Sequence, residues 1–453
     1  MTVTTADPTP DEDTGEAPVS AWHPAALLAF RFAVAYLGLF CLWFAQITFV
    51  FLGVAVRWVP EDLVAWQMLA LDPASRWVGE HVFGVDAALR LNGSGDQAGI
   101  WIQTGFVLLA AVVITVVWSV RDRRRTAYPR LAAWGLTLLR LAVAGQLLFY
   151  GFAKLIPSQM PEPELTALLS RVGDLSPMAL LWTQVGASPA YEMALGAAEV
   201  TAGLLLFWPR TATAGALLSV VSMAQVFLLN LTYDVPVKIL SGHLLLMSLV
   251  LLAPQARRLA NVLVLQRPSE PMTQPELFAD PRRRRWATGV QLALGAWITA
   301  ACVVLGLSDW HENGGGAPKP ELYGIWEVEE FRADGAPLPA LVDDPSRWRR
   351  LVVDRGTSAY QRMDDRLVAV TVTTDTPART LTLATAEAAE AAEPAEPYAS
   401  FTVDRPAPDR LVLRGRVGQT PAEITLRAAD PERFPLRGTG FHWVQNAPYI
   451  GGE

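Results

Sequence analysis

The chain has 453 residues, of which 51% are hydrophobic and 18% are charged, with a net charge of −7. A charged fraction this far below the roughly 25% usual for soluble domains, together with a mean hydropathy of +0.26, disfavours a wholly soluble protein. Its two cysteines, Cys41 and Cys302, are far apart and form no CxxC motif, so the sequence gives no support for a dithiol relay, a haem-attachment site or a structural zinc site. The sequence also lacks nucleotide-binding fingerprints, and we predict no metal and no nucleic-acid partner.

Residues 1–23 are predicted to be a disordered acidic tail. Five carboxylates fall within the first sixteen residues: Asp7, Asp11, Glu12, Asp13 and Glu16. The stretch has neither a basic region nor a small-residue cleavage site, so it is not typical of a secretory signal peptide.

Seven apolar runs are long enough to cross a bilayer, which requires about 20 residues per helix. The first is unusually long, which suggests tilt or an interfacial end. The runs are 27–56, 98–120, 131–155, 189–207, 211–230, 237–253 and 286–307.

Arginine placement predicts the orientation of these segments. The clusters at 121–125 and 282–285, with Arg210, Arg257 and Arg258, all fall on one side of a seven-helix count. Since basic residues favour the cytoplasmic side, the N-terminus is predicted to be cytoplasmic and the C-terminal domain extracytoplasmic. We therefore expect a multi-pass protein of the bacterial cytoplasmic (inner) membrane.

The segments and their loops divide the chain into seven predicted units. Two outer loops, 57–97 and 156–188, are long, and the first is expected to hold one or two short helices on the membrane surface. The units are the tail 1–23, two transmembrane helices with an outer amphipathic loop at 24–128, a four-helix bundle at 129–256, a cytoplasmic basic loop at 257–285, a seventh transmembrane helix at 286–308, a mobile Gly/Pro linker at 309–320, and a β domain at 321–453.

The hydrophobic period changes to that of β-strands from residue 321 onward. About eight short runs rich in β-branched and aromatic residues are separated by turn signals such as Asp334-Gly335, and a loose loop is expected at 387–397. This pattern predicts an antiparallel sandwich or closed barrel. The opening Gly324-x-Trp326 resembles that of lipocalin-like barrels, and the closing segment with Gly440, His442 and Trp443 looks like the end of such a domain. Trp326, Trp348 and Trp443 are expected to be core aromatics.

Ionisable residues within the apolar segments cost about 2.5–3.5 kcal/mol each on insertion scales, so they need partners or a function. We expect Glu199 to pair with Arg140, and the remaining charges to cluster towards the outer surface. Two interpretations remain open: a buried ion pair that fixes helix register, and a polar pocket, open to the outer leaflet, that holds a small polar headgroup or moves a proton. The candidate site residues are Arg140, Lys154, Glu192, Glu199, Gln225, Asp234, Lys238 and His243.

Residues 130–255 resemble the DoxX family of four-helix membrane proteins. The resemblance lies in "LRLAVAGQLLFYGFAKLI", with Arg140 and Lys154, and in "EMALGAAEVTAGLLLFWPRTATAGALL", with Glu199. It implies a membrane protein associated with sulfur-compound oxidation, quinone reduction or redox homeostasis. The chain departs from the family in its three additional helices, and it lacks a redox cysteine pair.

Two functions follow as hypotheses. The protein is either a quinone-linked redox component with an outer substrate- or partner-binding domain, or a non-enzymatic anchor that presents a lipocalin-like ligand- or protein-binding domain. No cofactor is evident from the motifs, and a quinone is the candidate. The expected partners are the lipid bilayer, a quinone or lipid-like ligand, and an extracytoplasmic or membrane redox protein. Whether the protein is an enzyme stays open at this stage.

Overall fold

The structure, a computed structural model, describes residues 21–375, 377–385 and 397–450. Nearly all of the predicted acidic tail and of the predicted loop at 387–397 lie outside these residues. The helices are α1 (Pro24–Trp43), α2 (Ala45–Phe49), α3 (Glu61–Val64), α4 (Trp66–Val78), α5 (Ala98–Arg121), α6 (Pro129–Leu155), α7 (Pro177–Gly186), α8 (Pro189–Phe207), α9 (Ala212–Thr232), α10 (Lys238–Leu252), α11 (Ala256–Leu263), α12 (Pro281–Glu312) and α13 (Pro435–Gly438).

Seven helices within the described residues are long and apolar enough to cross a membrane, as the sequence predicts. They are α1, α5, α6, α8, α9, α10 with its continuation through α11, and α12. The two helices α3 and α4 confirm that the outer loop at 57–97 is partly helical. This part of the chain is therefore a multi-pass membrane protein.

The first predicted segment is not one long helix. Helix α1 ends at Trp43, Phe44 is extended, and the chain continues as α2 and a 3₁₀ helix, Val50–Trp58. The backbone oxygen of Gln46 accepts a hydrogen bond from the Gln146 side chain at 3.0 Å, so this stretch packs beside the middle of α6. Gly53, at φ 56°, leaves room for Trp297, since a Cβ there would lie 2.8 Å from its indole ring. The expected tilt is thus replaced by a broken segment that lies against α6 and α12.

Small residues set the closest helix contact in the membrane region, between the antiparallel helices α6 and α8. A Cβ on Gly196 would lie 2.4 Å from the backbone nitrogen of Leu155, and one on Gly151 would lie 2.8 Å from that of Val200. Glycine permits this approach because backbones can then meet directly. The close approach of α6 and α8 therefore depends on Gly151 and Gly196.

All eight predicted strands are present, and they form a closed antiparallel barrel. Each strand pairs with the next, and β1 pairs with β9 to close the sheet, while the two-residue β2 only extends the β1 hairpin. Closure removes free sheet edges. The strands are β1 (Gly324–Ala333), β2 (Ala336–Pro337), β3 (Trp348–Val353), β4 (Ser358–Arg362), β5 (Leu367–Asp375), β6 (Thr380–Thr385), β7 (Ala399–Ala407), β8 (Arg410–Val417) and β9 (Thr420–Ala429).

Side chains fill the barrel interior. Trp348 is fully buried, and its ring stacks on that of Tyr360 with the centroids 5.1 Å apart. Tyr360 stacks in turn on Tyr398, and burial raises the pKa of Tyr398 to about 12. Five fully buried leucines belong to the same core: Leu351, Leu381, Leu383, Leu411 and Leu413. The interior is thus a packed hydrophobic core.

The barrel docks on the loop between α6 and α7. Leu165 is fully buried against Ile325 and Val352, which point outward from the barrel wall. The Asp354 carboxylate accepts a hydrogen bond from the backbone N–H of Leu165 at 2.7 Å, and Arg171 donates to Asp365 at 3.1 Å. The loop and the barrel therefore lie on the same side of the helical region.

The segment predicted as a mobile linker is shorter and more structured than expected. Helix α12 continues through Glu312, into the predicted linker at 309–320. Gly316 then lies against the Trp310 ring, where a Cβ would come within 2.3 Å of the indole. Because contacts at Leu165 also hold the barrel, the expectation of a domain moving freely on a tether is corrected to that of a docked domain.

Candidate functional site

A buried ion pair lies between α6 and α8. Lys154 Nζ and Glu199 Oε2 are 2.8 Å apart, and the two residues are 5% and 2% exposed. Both belong to the predicted polar site. The position of Lys154 in the last turn of α6 also suits a cation, since the carbonyl groups there carry partial negative charge.

Arg140 does not pair with Glu199, so that expectation is wrong. Its guanidinium donates to the backbone oxygen of Leu206 and to the side chain of Gln291. The register of α6 and α8 explains the difference: Gly151 faces Val200, so Arg140, three turns earlier on α6, lies opposite the C-terminal end of α8. Arg140 and Lys154 share a face of α6 but lie about 21 Å apart along its axis.

Glu192 lies on α8, one helix turn N-terminal to Gly196, which contacts Leu155. Its side chain is fully buried. Its Oε1 accepts a hydrogen bond from the backbone N–H of Met160 at 2.9 Å. Its Oε2 has no hydrogen-bond partner among the described residues. Glu192 therefore fixes the start of the α6–α7 loop, which continues to the Leu165 contact with the barrel.

Asp234 and Lys238 form a separate pair at the start of α10. Lys238 Nζ lies 2.8 Å from Asp234, whose side chain is 84% exposed, and 3.7 Å from Asp96. The Asp96 carboxylate also accepts hydrogen bonds from the backbone N–H groups of Lys238 and Ile239, which caps α10 from another loop. Asp96 was not predicted from the sequence, because a cap 142 residues away leaves no local signal.

His243 is held between α1 and α10, away from the Lys154 pair. Its Nε2 lies 2.7 Å from the Tyr36 hydroxyl, its Nδ1 lies 2.6 Å from the Ile239 carbonyl oxygen, and its ring stacks on Phe40. These contacts use both ring nitrogens. No group of three or more potential metal-ligating side chains occurs among the residues that the structure describes.

A cavity of about 230 Å³ adjoins the Lys154–Glu199 pair. Gln225, from the predicted site, lines it on α9, while Arg140, Glu192, Asp234, Lys238 and His243 are not among its lining residues. Most of its wall is apolar, from α7, α9 and α10. The representative lining residues are Met160, Leu181, Trp182, Val185, Met223 and Leu244.

Two further polar residues of this wall were missed by the sequence analysis. Tyr150 lies one turn before Lys154, and its hydroxyl accepts a hydrogen bond from Gln46 at 2.7 Å. Gln159 lines the cavity, and its buried Oε1 has no partner among the described residues. The spacing of Tyr150 and Lys154 at i and i+4 is the signal that could have identified the tyrosine.

The five residues of the β-domain signature separate in the structure. Gly324 begins β1 at φ 149°, and Trp326 is 3% exposed and donates from its indole N–H to the Leu322 carbonyl oxygen. Gly440, His442 and Trp443 follow the barrel and are exposed. Trp326 and Trp348 are core aromatics as expected, but that prediction is wrong for Trp443, which is 92% exposed.

Comparison with known proteins gives one informative match. The uncharacterized protein YwoB of Bacillus subtilis is 33% identical to this chain over 125 residues, which are 27% of the chain and 78% of YwoB. The chain belongs to the YwoB family. No protein-family model matches, and no solved structure matches. The relationship to YwoB carries no stated activity, and the resemblance to the DoxX family stays a prediction.

Proposed function

We propose that the helical part of this YwoB-family protein binds a membrane quinone at the Lys154–Glu199 pair, as part of a redox system of the cytoplasmic membrane. The observation that supports this is the buried ion pair in the wall of an apolar cavity. Ionisable residues at membrane depth are costly and usually mark a functional site. A quinone combines an uncharged polar ring with an apolar body, which suits such a cavity.

The donors and acceptors of the cavity fit a quinone ring. An ammonium group has three N–H donors, and Lys154 directs one at Glu199 and a weak one, at 3.5 Å, at the Tyr150 carbonyl oxygen. The third has no hydrogen-bond acceptor among the residues that the structure describes, and we propose that it binds a quinone carbonyl oxygen. Because the two charges of the pair compensate each other, the site favours a neutral ligand over an anion.

Each residue has a defined task in this proposal. Lys154 donates a hydrogen bond to a carbonyl oxygen of the ring, the Glu199 carboxylate holds the Lys154 ammonium in place beside it, and Gln225 and Gln159 orient the ring. A bound quinone supplies the capacity to take up two electrons and two protons. The electrons come from a partner protein, for which the outer surface of the barrel is the proposed docking module.

The arginine distribution supports the proposed location. The described basic clusters at 121–125 and 282–285 lie at the α5 and α12 ends remote from the barrel. By the positive-inside rule, we propose that these ends and the N-terminus are cytoplasmic, and that the barrel is extracytoplasmic.

The alternative function, an anchor that presents a ligand-binding barrel, is less well supported. A lipocalin-like ligand site needs an open interior, whereas Trp348, Leu381 and Leu413 are fully buried inside this one. The packed interior leaves protein binding as the form of this alternative that fits: a barrel that docks with other proteins through its outer surface.

The test is the quinone content of the purified protein. The protein is purified in mild detergent and its organic extract is assayed for quinone, in wild type, in Glu199→Gln and in the control Ser219→Ala. Ser219 and Ser248 share a buried 2.6 Å hydrogen bond between α9 and α10 and do not line the cavity, so the control removes a buried polar contact outside the site.

Stoichiometric quinone in wild type and in Ser219→Ala, with a loss in folded Glu199→Gln, would support the proposal. Equal quinone in all three proteins, or none in well-folded wild type, would contradict it.

A further inference from the structure

A second cavity of about 420 Å³ lies beside the first. Its walls come from the broken segment after α1, from the outer loop at 64–97, and from α6 and α12. Tyr150 and Leu240 line both cavities, as do Gly93 and Val237. The Tyr150 side chain therefore stands at the boundary between them, and its hydroxyl is fixed there by Gln46.

The second cavity is also mostly apolar, and one charged side chain stands among its described lining residues. Its single charged residue, Arg90, lies 2.7 Å from Asp86. Its amides are also engaged: Gln46 donates to Tyr150, and Gln97 donates to the Arg90 carbonyl oxygen. The main apolar lining residues are Phe44, Phe49, Val56, Val64, Phe149 and Leu305.

The broken segment gives this cavity its shape. Helix α1 stops at Trp43, and Gly53 takes up a left-handed conformation against Trp297, at the middle of α12. Irregular backbone at membrane depth is tolerated where it is buried in protein or lines a cavity. Phe44, Phe49 and Val56 of this segment line the cavity, so the broken backbone forms part of its wall.

We propose that the second cavity holds the prenyl tail of the quinone whose ring binds at Lys154 and Glu199. This inference rests on the proposed function and adds to it that the ligand is long-chained and occupies both cavities across Tyr150. The two volumes together fall within the range of about 300–1,000 Å³ usual for ligand pockets. A phospholipid fits less well, because the charge of Arg90, the one charged side chain in the described lining, is already compensated by Asp86 at 2.7 Å.

The test compares two probes, tail-less dimethoxy-methyl-benzoquinone and its decyl derivative, by equilibrium binding to the full-length protein in one detergent. Val56→Trp fills part of the second cavity from the broken segment, and Val64→Trp fills part of it from the outer loop. The matched control is Val304→Trp, because Val304 lies on α12 near Leu305, is half exposed and does not line the cavity. Glu199→Gln reports on the ring site.

We expect both cavity-filling variants to weaken binding of the decyl probe by about ten-fold, since several methylenes lose their contacts. The tail-less probe should bind these variants as it binds wild type, and Glu199→Gln should weaken both probes. Size-exclusion profiles check that each variant is folded.

The binding results distinguish a wrong tail site from a wrong ring site. If Glu199→Gln weakens both probes while neither filling variant affects the decyl probe, the ring site stands and the tail site is overturned. If Glu199→Gln leaves both probes unaffected, the proposed function fails and this inference fails with it. A phospholipid that competes with the decyl probe but not with the tail-less probe identifies the second cavity as a lipid site instead.

Discussion

The helical region and the barrel differ in the side chains that they bury. The barrel core is a cluster of leucines and aromatic rings around Trp348, whereas the helical region buries Arg31, Arg140, Lys154, Glu192 and Glu199. A soluble barrel gains stability by filling its interior with apolar groups. The helical region is surrounded by the apolar lipid bilayer, so burying charged side chains there costs free energy. A core with a purely structural role could avoid that cost by using apolar side chains. The difference supports the proposal that the helices bind the ligand and that the barrel serves for support or docking.

The largest expected effect tests whether the hydrophobic core around Trp348 stabilises the barrel. Trp348→Ala should destabilise the barrel by about 3–5 kcal/mol, because a large fully buried ring leaves a cavity. Denaturant unfolding, followed by the near-ultraviolet circular dichroism of the aromatic stack, measures the effect. Trp443→Ala is the control, since that ring is exposed and should cost almost nothing. Quinone content should stay at its wild-type level in both variants.

The second prediction concerns the Lys154–Glu199 pair. Lys154→Ala should cost about 3–5 kcal/mol, because Glu199 then remains buried without its partner. The double variant Lys154→Met/Glu199→Leu removes both charges and should recover most of that stability, yet it should bind no quinone. Thermal unfolding in detergent and quinone extraction measure the two effects. A double variant as unstable as the single one would show that packing, rather than charge, determines the stability of this site.

A smaller effect is expected where the two regions meet. Leu165→Ala should weaken barrel docking by about 2–3 kcal/mol through the loss of a fully buried side chain. Hydrogen exchange of the amides at 164–171 should rise, while exchange within the barrel strands stays unchanged. Faster exchange throughout the barrel would mean instead that Leu165 belongs to its folding core.

The smallest effect should come from pH. Burial raises the pKa of Asp365, but the hydrogen bond from Arg171 and the charge of Arg349 outweigh it, so the net pKa is lowered below 3.8. The Asp365 contribution is therefore present above that ordinary value and is lost as the pH falls through the lowered pKa. Because both partners are partly exposed, the pair contributes at most about 1 kcal/mol. Exchange at 164–171, corrected for its intrinsic pH dependence, should rise slightly at pH 3 in wild type and not in Arg171→Ala.

Local sequence patterns were sufficient to locate the membrane-spanning helices and the β-strands. Apolar runs of helical length located seven spans, and alternation with turn residues such as Asp334-Gly335 located eight strands, since both signals act over a few residues. The break at Phe44 was missed because "CLWFAQITFVFLGVAV" is apolar throughout. Hydropathy alone does not distinguish a continuous helix from one that turns back beside Trp297.

The site residues were predicted better than their partners. Lys154, Glu199 and Gln225 were recognised as polar groups in apolar segments, and the structure brings these three to one cavity. The predicted partner of Arg140, Glu199, was wrong. The spacing of residues along a helix shows which face each one occupies, but it does not show how far two neighbouring helices are shifted along their axes. One signal for the docking surface was present: Leu351, Val352 and Val353 form an unbroken apolar run in β3, which is typical of a strand covered on both faces.

The contact between Leu165 and the barrel has a consequence for biogenesis. Leu165 and its partner Asp354 are separated by 189 positions, so the loop is synthesised and exposed long before the barrel that covers it exists. The barrel reaches this loop only when α8, α9, α10 and α12 have all inserted, because the four crossings between them return the chain to the same face. Failure of any one insertion leaves the barrel across the bilayer from Leu165. Docking thus makes completion of the membrane topology a precondition for the final folded state, and an undocked Leu165 loop would be a readily cleaved marker of misinserted chains.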